Sequence, residues 1–334
     1  MTPAEILIET VKSGKSERLL KQYEAFHFVF DNPLDNYLRE GFVPGASVID
    51  KWGTLIVWPD GEPGAVPYIT EENKVIKDIE NWRDYVQAPD LETHCRQGWE
   101  KCVEEAKQAR KNGKLVALIM GQGIFEQLHF LMGFEDALVN LIEYPDEIHE
   151  LIDYICDYRL TMFKIVIEQL HPDVLLSHDD WGTRTSMFMP PEMWREYFKE
   201  PYRKLYDYVR SQGVMVIHHS DSYLVPIVED MAEIGIQVWQ GILPENDIPS
   251  IQKKLNGRMA LMGGIGASID RKDSTETEIR QYIRSLLDAC APGGYFIPCI
   301  TYGSPHTVFS HVDPIVNSEI DNWNQAHAQG MLDR

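Results

Sequence analysis

Gly213-Val214-Met215-Val216-Ile217-His218-His219-Ser220-Asp221-Ser222 is the stretch on which the reading of this chain turns. A glycine followed by a short, unbroken apolar run predicts a strand buried on both faces, the form strands take in parallel sheets. The run stops abruptly in two imidazoles, a hydroxyl and a carboxylate. Side chains alternate across a strand, so His219 and Asp221 share one face of its end, and His218 and Ser220 the other. Carboxyl ends of buried strands are where β/α enzymes gather metal ligands and acid–base groups. Ser220, Asp221 and Ser222 would also serve as N-caps of a following helix, but a cap accounts for one of these residues rather than four.

Working outward, similar apolar runs recur at residues 115–120, 174–177, 214–218, 236–239, 259–262 and 295–297. Between them the apolar residues fall at helical spacing over 134–170 (two helices), 190–212, 222–234, 247–256 and 275–290. Pro190-Pro191-Glu192 opens one of these helices and Asn246-Asp247 caps another. Alternation of strand and helix predicts an α/β fold with a parallel sheet. Its length suits a (β/α)8 TIM-type barrel better than a doubly wound sheet, and no G-x-G-x-x-G is present. Residues 1–113 are richer in Pro, Gly and Asp and less regular. Within them, residues 48–58 followed by Pro59-Asp60-Gly61 predict a strand pair or loop packed on one end of the barrel. The expected organisation is one domain over 1–334, with an N-terminal elaboration (1–113) and a main barrel (114–334).

Of 334 residues, 44% are hydrophobic and 25% charged, the balance of an ordinary soluble globular protein. A net charge of −21 argues against binding a nucleic-acid backbone, because no basic patch could release its counterions. Met1-Thr2-Pro3-Ala4-Glu5 lacks the basic start of a signal peptide, and no apolar run reaches bilayer length. The five cysteines are scattered with no Cys-x-x-Cys pair, so reduced thiols and a cytoplasmic location are expected.

Four strand ends carry polar residues of chemical interest. Gly121-Gln122-Gly123-Ile124-Phe125-Glu126 permits close backbone approach, and Glu126 either faces a cavity or simply opens a helix. In Ser177-His178-Asp179-Asp180-Trp181-Gly182, two adjacent carboxylates repel each other unless a cation or substrate donor offsets them; solvated loop acids are the alternative. The His219/Asp221 pair is the third. The last clear strand is followed by Cys299, Thr301, Tyr302, Gly303-Ser304-Pro305 and His306, where Cys299 is either a packing residue or a ligand. One imidazole, one carboxylate and one thiolate would make a three-ligand zinc site with an open position. Gln240, after the run at 236–239, is a minor pocket candidate.

Taken in order, these segments resemble the uroporphyrinogen decarboxylase superfamily, and within it the methylcobamide and corrinoid-protein methyltransferases. The residues carrying the likeness are Asp50-Lys51-Trp52-Gly53, Gly123-Ile124-Phe125-Glu126, Asp179-Asp180-Trp181-Gly182 with Pro191-Glu192-Met193-Trp194, the Gly213–Ser222 stretch, Glu233-Ile234-Gly235, Asn246-Asp247 and Gly263-Gly264-Ile265. The resemblance implies a (β/α)8 barrel with its site at the carboxyl ends of the strands. Zinc-bearing members read His-x-Cys-Gly at the central strand end. Aligned on the Glu233-Ile234-Gly235 turn, the histidine falls on His219, but the cysteine falls on Asp221 and the glycine on Ser222. The later family cysteine aligns with Thr301, two residues after Cys299. The decarboxylase itself matches less well, since its arginine-rich N-terminal motif has no counterpart in residues 1–45.

The resemblance therefore implies an enzyme moving a methyl group between a small methylated compound and a corrinoid carried by a partner protein. Zinc would sit on His219, Asp221 and Cys299. Asp179, Asp180 and His306 are the catalytic candidates, and Glu126, Trp181, Gln240 and Tyr302 the substrate contacts. A carboxylate in place of a thiolate favours an oxygen-bound methyl group. The alternatives are a decarboxylase of a tetrapyrrole or other small cyclic acid, and a binding protein that keeps the barrel without the metal.

Overall fold

The apolar runs fold as strands laid side by side in chain order. The computed structural model describes residues 1–61, 64–302 and 306–332. Seven strands form one parallel sheet: β1 (Phe26–Phe28) and, after three strands of a separate sheet, β5 (Leu115–Met120), β6 (Val174–His178), β7 (Met215–His219), β8 (Val238–Ile242), β9 (Ala260–Ile265) and β10 (Phe296–Ile300). Each pairs with the next. Gln22, just ahead of β1, closes the curl onto β10. Its N–H donates to the Pro298 carbonyl at 3.2 Å, and its Oε1 accepts from the Ile300 N–H at 3.4 Å. The fold is a TIM-type barrel in which this seam, rather than an eighth ladder strand, completes the ring.

Parallel neighbours need long crossovers, and helices supply them. Ile124–Met132, Phe134–Glu143 and Pro145–Leu170 follow β5; Pro191–Tyr197 and Lys199–Ser211 follow β6; Val228–Glu233 follows β7. Ile248–Leu255, Glu276–Cys290 and Val312–Leu332 follow β8, β9 and β10. Covered by helices outside and by one another inside, β8, β9 and β10 are buried along their whole lengths. The expected caps form: Asp247 accepts from the Ser250 N–H, and the run 134–170 does break into two helices at Tyr144.

Three local expectations are corrected. The run at 236–239 becomes a strand only from Val238, because the Ile236 N–H still bonds back to Met231 O across the left-handed Gly235 (φ +96°). The helix expected over 222–234 shrinks to a 3-10 turn at Val225–Ile227 and the helix Val228–Glu233. Its first residues are drawn into cross-loop bonds, Ser222 Oγ to Gly182 O (2.8 Å) and Leu224 N–H to Asn246 Oδ1 (2.9 Å). The first barrel strand, Phe26-His27-Phe28, lies within residues 1–113 and is too short for its period to be read.

The expected strand pair is present as β2 (Ser47–Ile49) and β3 (Leu55–Val57), joined antiparallel by β4 (Val66–Pro67). It leans over the end of β5: Trp52 meets Tyr158 edge-on at 4.8 Å, and Thr54 Oγ1 donates to Phe130 O at 3.1 Å. Among the described residues no helix is long and apolar enough to cross a membrane, and all five cysteines are buried thiols.

Candidate active site

Residues in register on parallel strands point to the same face, so a polar rung forms wherever neighbouring strands end in polar residues. His178, His219 and Gln240 are such a rung, paired across β6, β7 and β8. Asp180 follows β6 by two residues. One donor atom each from His178, Asp180 and His219 lies within 4.8 Å of the other two. His178 Nδ1 is 3.2 Å from Glu126 Oε2 and its Nε2 is 3.6 Å from Asp180 Oδ2; the two imidazoles are 4.6 Å apart between centroids.

Gln240 decides the tautomer of His219. Its Nε2 donates to the carbonyls of Ile300 (3.1 Å) and Tyr302 (3.2 Å), so the oxygen of the amide is left for His219 Nδ1. An oxygen there requires that Nδ1 carry the hydrogen, and Nε2 keeps its lone pair. Burial, then the neighbouring His178 charge, lowers the His219 pKa to about 4, so the ring is neutral near pH 7. His178 behaves oppositely. Burial opposes its charge, but Glu126 and Asp180 outweigh burial and hold its proton well above the usual histidine range. Asp180 is likewise held low against burial by His178, with Ser220 Oγ (3.0 Å) and the Asp221 N–H (3.1 Å) donating to its Oδ1.

The cluster is thus an imidazolium clasped by two carboxylates beside a neutral imidazole. A divalent cation can take the place of that proton. Two imidazoles and a carboxylate make the three-ligand set of catalytic zinc centres, which leaves a position open. Both imidazoles also have an Nδ1 partner, Glu126 for one and Gln240 for the other, as metal-bound histidines do. The residues fit a metal on these grounds.

The other candidates lie elsewhere. Asp179 is wholly buried and accepts four donors: the Phe125 N–H (3.0 Å), Glu126 N–H (2.9 Å), Trp181 Nε1 (2.9 Å) and the Tyr202 hydroxyl. It caps the helix Ile124–Met132 from another strand end. Burial, then Glu126, pushes its carboxyl up to about 7, while these donors pull the other way. Gly123 is obligatory beneath it, since a Cβ there would stand 2.1 Å from the Asp179 Cβ. Trp181 is not a pocket wall either: it is fully buried and stacked on His218 at 4.2 Å.

His218, on the other face of β7, bonds to the Tyr206 hydroxyl at 2.7 Å. Asp221 and Tyr302 line a neighbouring pocket of about 320 Å³ with Thr301 and Ser268, outside the three-residue cluster. Cys299 is fully buried, burial drives its thiol pKa far up, and it lies outside the three-residue cluster. His306 is exposed, its Nδ1 3.9 Å from Asp313 Oδ2, and is not brought to the cluster. Gly303, Ser304 and Pro305 lie outside the described residues. The residue that sequence reasoning misses is His178, which ends β6 as His219 ends β7. That shared position is its signal, and the two acids beside it obscure it.

Of the cluster, His178 borders a cleft of about 480 Å³ between the β2–β4 sheet, the end of β5 and the helix Pro145–Leu170. Glu126 and His178 line it together with apolar walls from Trp52, Met120 and Phe130.

A family model described as uroporphyrinogen decarboxylase (URO-D) matches residues 49–321. Among solved structures, a methyltransferase from Methanosarcina mazei superposes with a TM-score of 0.69 at 16% identity, covering 97% of this chain and 99% of its own. At that identity the likeness is one of fold. A dihydropteroate synthase from Anaplasma phagocytophilum (TM-score 0.37, 15% identity, 51% of this chain and 68% of its own) and a D-psicose 3-epimerase (0.38, 11%, 71% and 85%) also match, at scores that carry no functional argument. No curated protein matches the chain in sequence.

Proposed function

The chain belongs to the uroporphyrinogen decarboxylase family, and from that premise we propose that it is a metal-assisted methyltransferase. It would move a methyl group between a small methylated compound, such as a methyl ether, and the cobalt of a corrinoid held by a partner protein. The observation that carries this reading is the His178/Asp180/His219 cluster, with His178 bordering a cleft that has apolar walls from Trp52, Met120 and Phe130. A Lewis acid held by such a donor set would stabilise an oxygen as it loses its methyl group.

His178, Asp180 and His219 would hold zinc, the ion this ligand set suits. When bound, zinc supplies positive charge that stabilises the heteroatom losing its methyl group. The chain's own residues do the rest by placement. Gln240 and Glu126 hold the two imidazoles in one tautomer and orientation. Asp179 anchors the start of the helix that carries Glu126, so the carboxylate pairing with His178 keeps its position. Trp52, Met120 and Phe130 keep water from the methyl compound and aim it. In the transfer, the carbon–heteroatom bond breaks with its electron pair on the heteroatom, and the methyl carbon accepts the pair of cobalt(I).

The test uses the full chain, its zinc content, and methylation of cob(I)alamin by methoxy compounds followed as loss of the cobalt(I) absorbance. About one zinc per chain is expected, with turnover only when cobalt(I) is added. A metal-free protein that by itself releases carbon dioxide from a porphyrinogen would replace this reading with a decarboxylase.

A further inference from the structure

We propose that the methyl compound also carries a carboxylate, and that Gln127, Tyr158 and Arg159 receive it in the same cleft. That the ligand carries a methyl group rests on the proposed function; the carboxylate subsite does not. Arg159 is only 2% exposed, on the helix Pro145–Leu170. Its guanidinium donates to the carbonyls of Gly121 (3.0 Å), Gln122 and Met120 (3.4 Å) and to Ser177 Oγ (3.3 Å). Among the described residues these partners are all neutral, so a buried cation stands without a counter-charge, which is costly unless a ligand supplies one.

Its Nε makes no hydrogen bond, and neither do Gln127 Nε2 and the Tyr158 hydroxyl, all three atoms being buried. Buried polar atoms are nearly always paired, and three of the unpaired ones belong to residues that border one cavity. All three side chains line the 480 Å³ cleft that also holds Glu126 and His178. The acids lining that cleft are already engaged. Asp35 accepts from Asn32 Nδ2 (2.7 Å), Asp50 from the N–H groups of Trp52 (2.9 Å) and Thr54 (2.8 Å), and Glu126 from the Gly123 N–H (3.1 Å). What the cleft has unspent is donor capacity and one buried positive charge. Three donors suit the two oxygens of a carboxylate. The apolar walls suit an aromatic or aliphatic body, and the volume is that of a small-molecule site.

The test measures binding to the full chain by calorimetry, without corrinoid, using 4-methoxybenzoate, its uncharged counterpart methoxybenzene, and inorganic phosphate. The benzoate should bind more tightly than methoxybenzene by roughly tenfold or more, as charge-assisted hydrogen bonds predict. Tyr158→Phe removes a hydroxyl with no partner in the free protein, so its unfolding midpoint should hold or rise while benzoate affinity falls roughly threefold to tenfold. Gln127→Leu should weaken the benzoate similarly and leave methoxybenzene unchanged. Equal affinity for the two aromatic compounds, or no loss of benzoate binding in both variants, would overturn the subsite. Phosphate binding as tightly as the benzoate would overturn the carboxylate assignment. Tight benzoate binding without methyl transfer would sink the proposed function and leave the subsite standing; transfer from methoxybenzene with no benzoate preference would do the reverse.

Discussion

Replacing Asp179 by asparagine separates a structural carboxylate from a catalytic one. The amide side chain would keep one carbonyl oxygen. Placed where Oδ2 stands, that oxygen retains the Phe125 N–H, Trp181 Nε1 and the Tyr202 hydroxyl. The amide nitrogen then faces the Glu126 N–H, which in the native protein donates to Oδ1 at 2.9 Å. One buried N–H left unpaired costs about 1–3 kcal/mol. With its carboxyl pushed up to about 7, Asp179 is only partly ionised near pH 7, so losing its charge at the start of the helix Ile124–Met132 adds at most about 0.3–1 kcal/mol. The expected destabilisation is therefore about 1–4 kcal/mol, with the cluster otherwise assembled. Urea unfolding followed by tryptophan fluorescence measures it, and zinc content on the same sample reports the cluster. A variant of unchanged stability and full zinc content that nevertheless transfers no methyl group would show that Asp179 acts on substrate, and the capping account would be wrong.

His219→Ala and Asp180→Ala should each lose bound zinc, whereas Asp221→Asn, which lies outside the three-residue cluster, should keep it; zinc analysis of the three dialysed proteins decides the ligand set. Gln240→Leu should retain the fold but weaken zinc binding by roughly 10–100-fold, read by competition with a chromophoric chelator, because His219 loses its tautomer-fixing partner. With a net charge of −21, association with a corrinoid protein of basic character should slow as salt rises, since the Debye length is only about 8 Å at physiological ionic strength; a salt-independent rate in stopped flow would exclude steering. Glu319→Gln tests the tie between the helices Glu276–Cys290 and Val312–Leu332, where Glu319 pairs with Arg280 (3.1 Å) and Arg284 (2.7 Å). Burial opposes the Glu319 charge, but Arg284, Asn322 and Arg280 hold its carboxyl below the ordinary range. Its stabilisation is full above about pH 4.5 and lost as pH falls below that, so the gap between wild type and variant should close on further acidification.

Much of the barrel was legible because its causes are local. Short apolar runs alternating with helical spacing sufficed to order β5 to β10, and Asp247 and Thr275 cap their helices by contacts within three residues. Where local signals misled, a distant partner had intervened. The stretch 222–224 has good helix-start residues, yet Ser222 and Leu224 are bound to Gly182 and Asn246 and stay in a loop. Asp179 and Asp180 look equivalent in sequence. Alternation sends one outward, to cap the helix Ile124–Met132, and the other toward the cluster, so one is saturated with donors while the other is a candidate ligand.

Read alone, the amino-acid sequence determined the fold class and pointed to polar residues at the carboxyl ends of the strands, His219 among them. Those follow from periodicity and from where polar residues interrupt it, which are properties of neighbours along the chain. Only the tertiary structure decided His219's companions. Strand register sets His178 and Gln240 beside it, from 41 and 21 residues away, and leaves Asp221 and Cys299 out of the cluster. Register depends on how whole strands pack against one another, and no short stretch of sequence carries it.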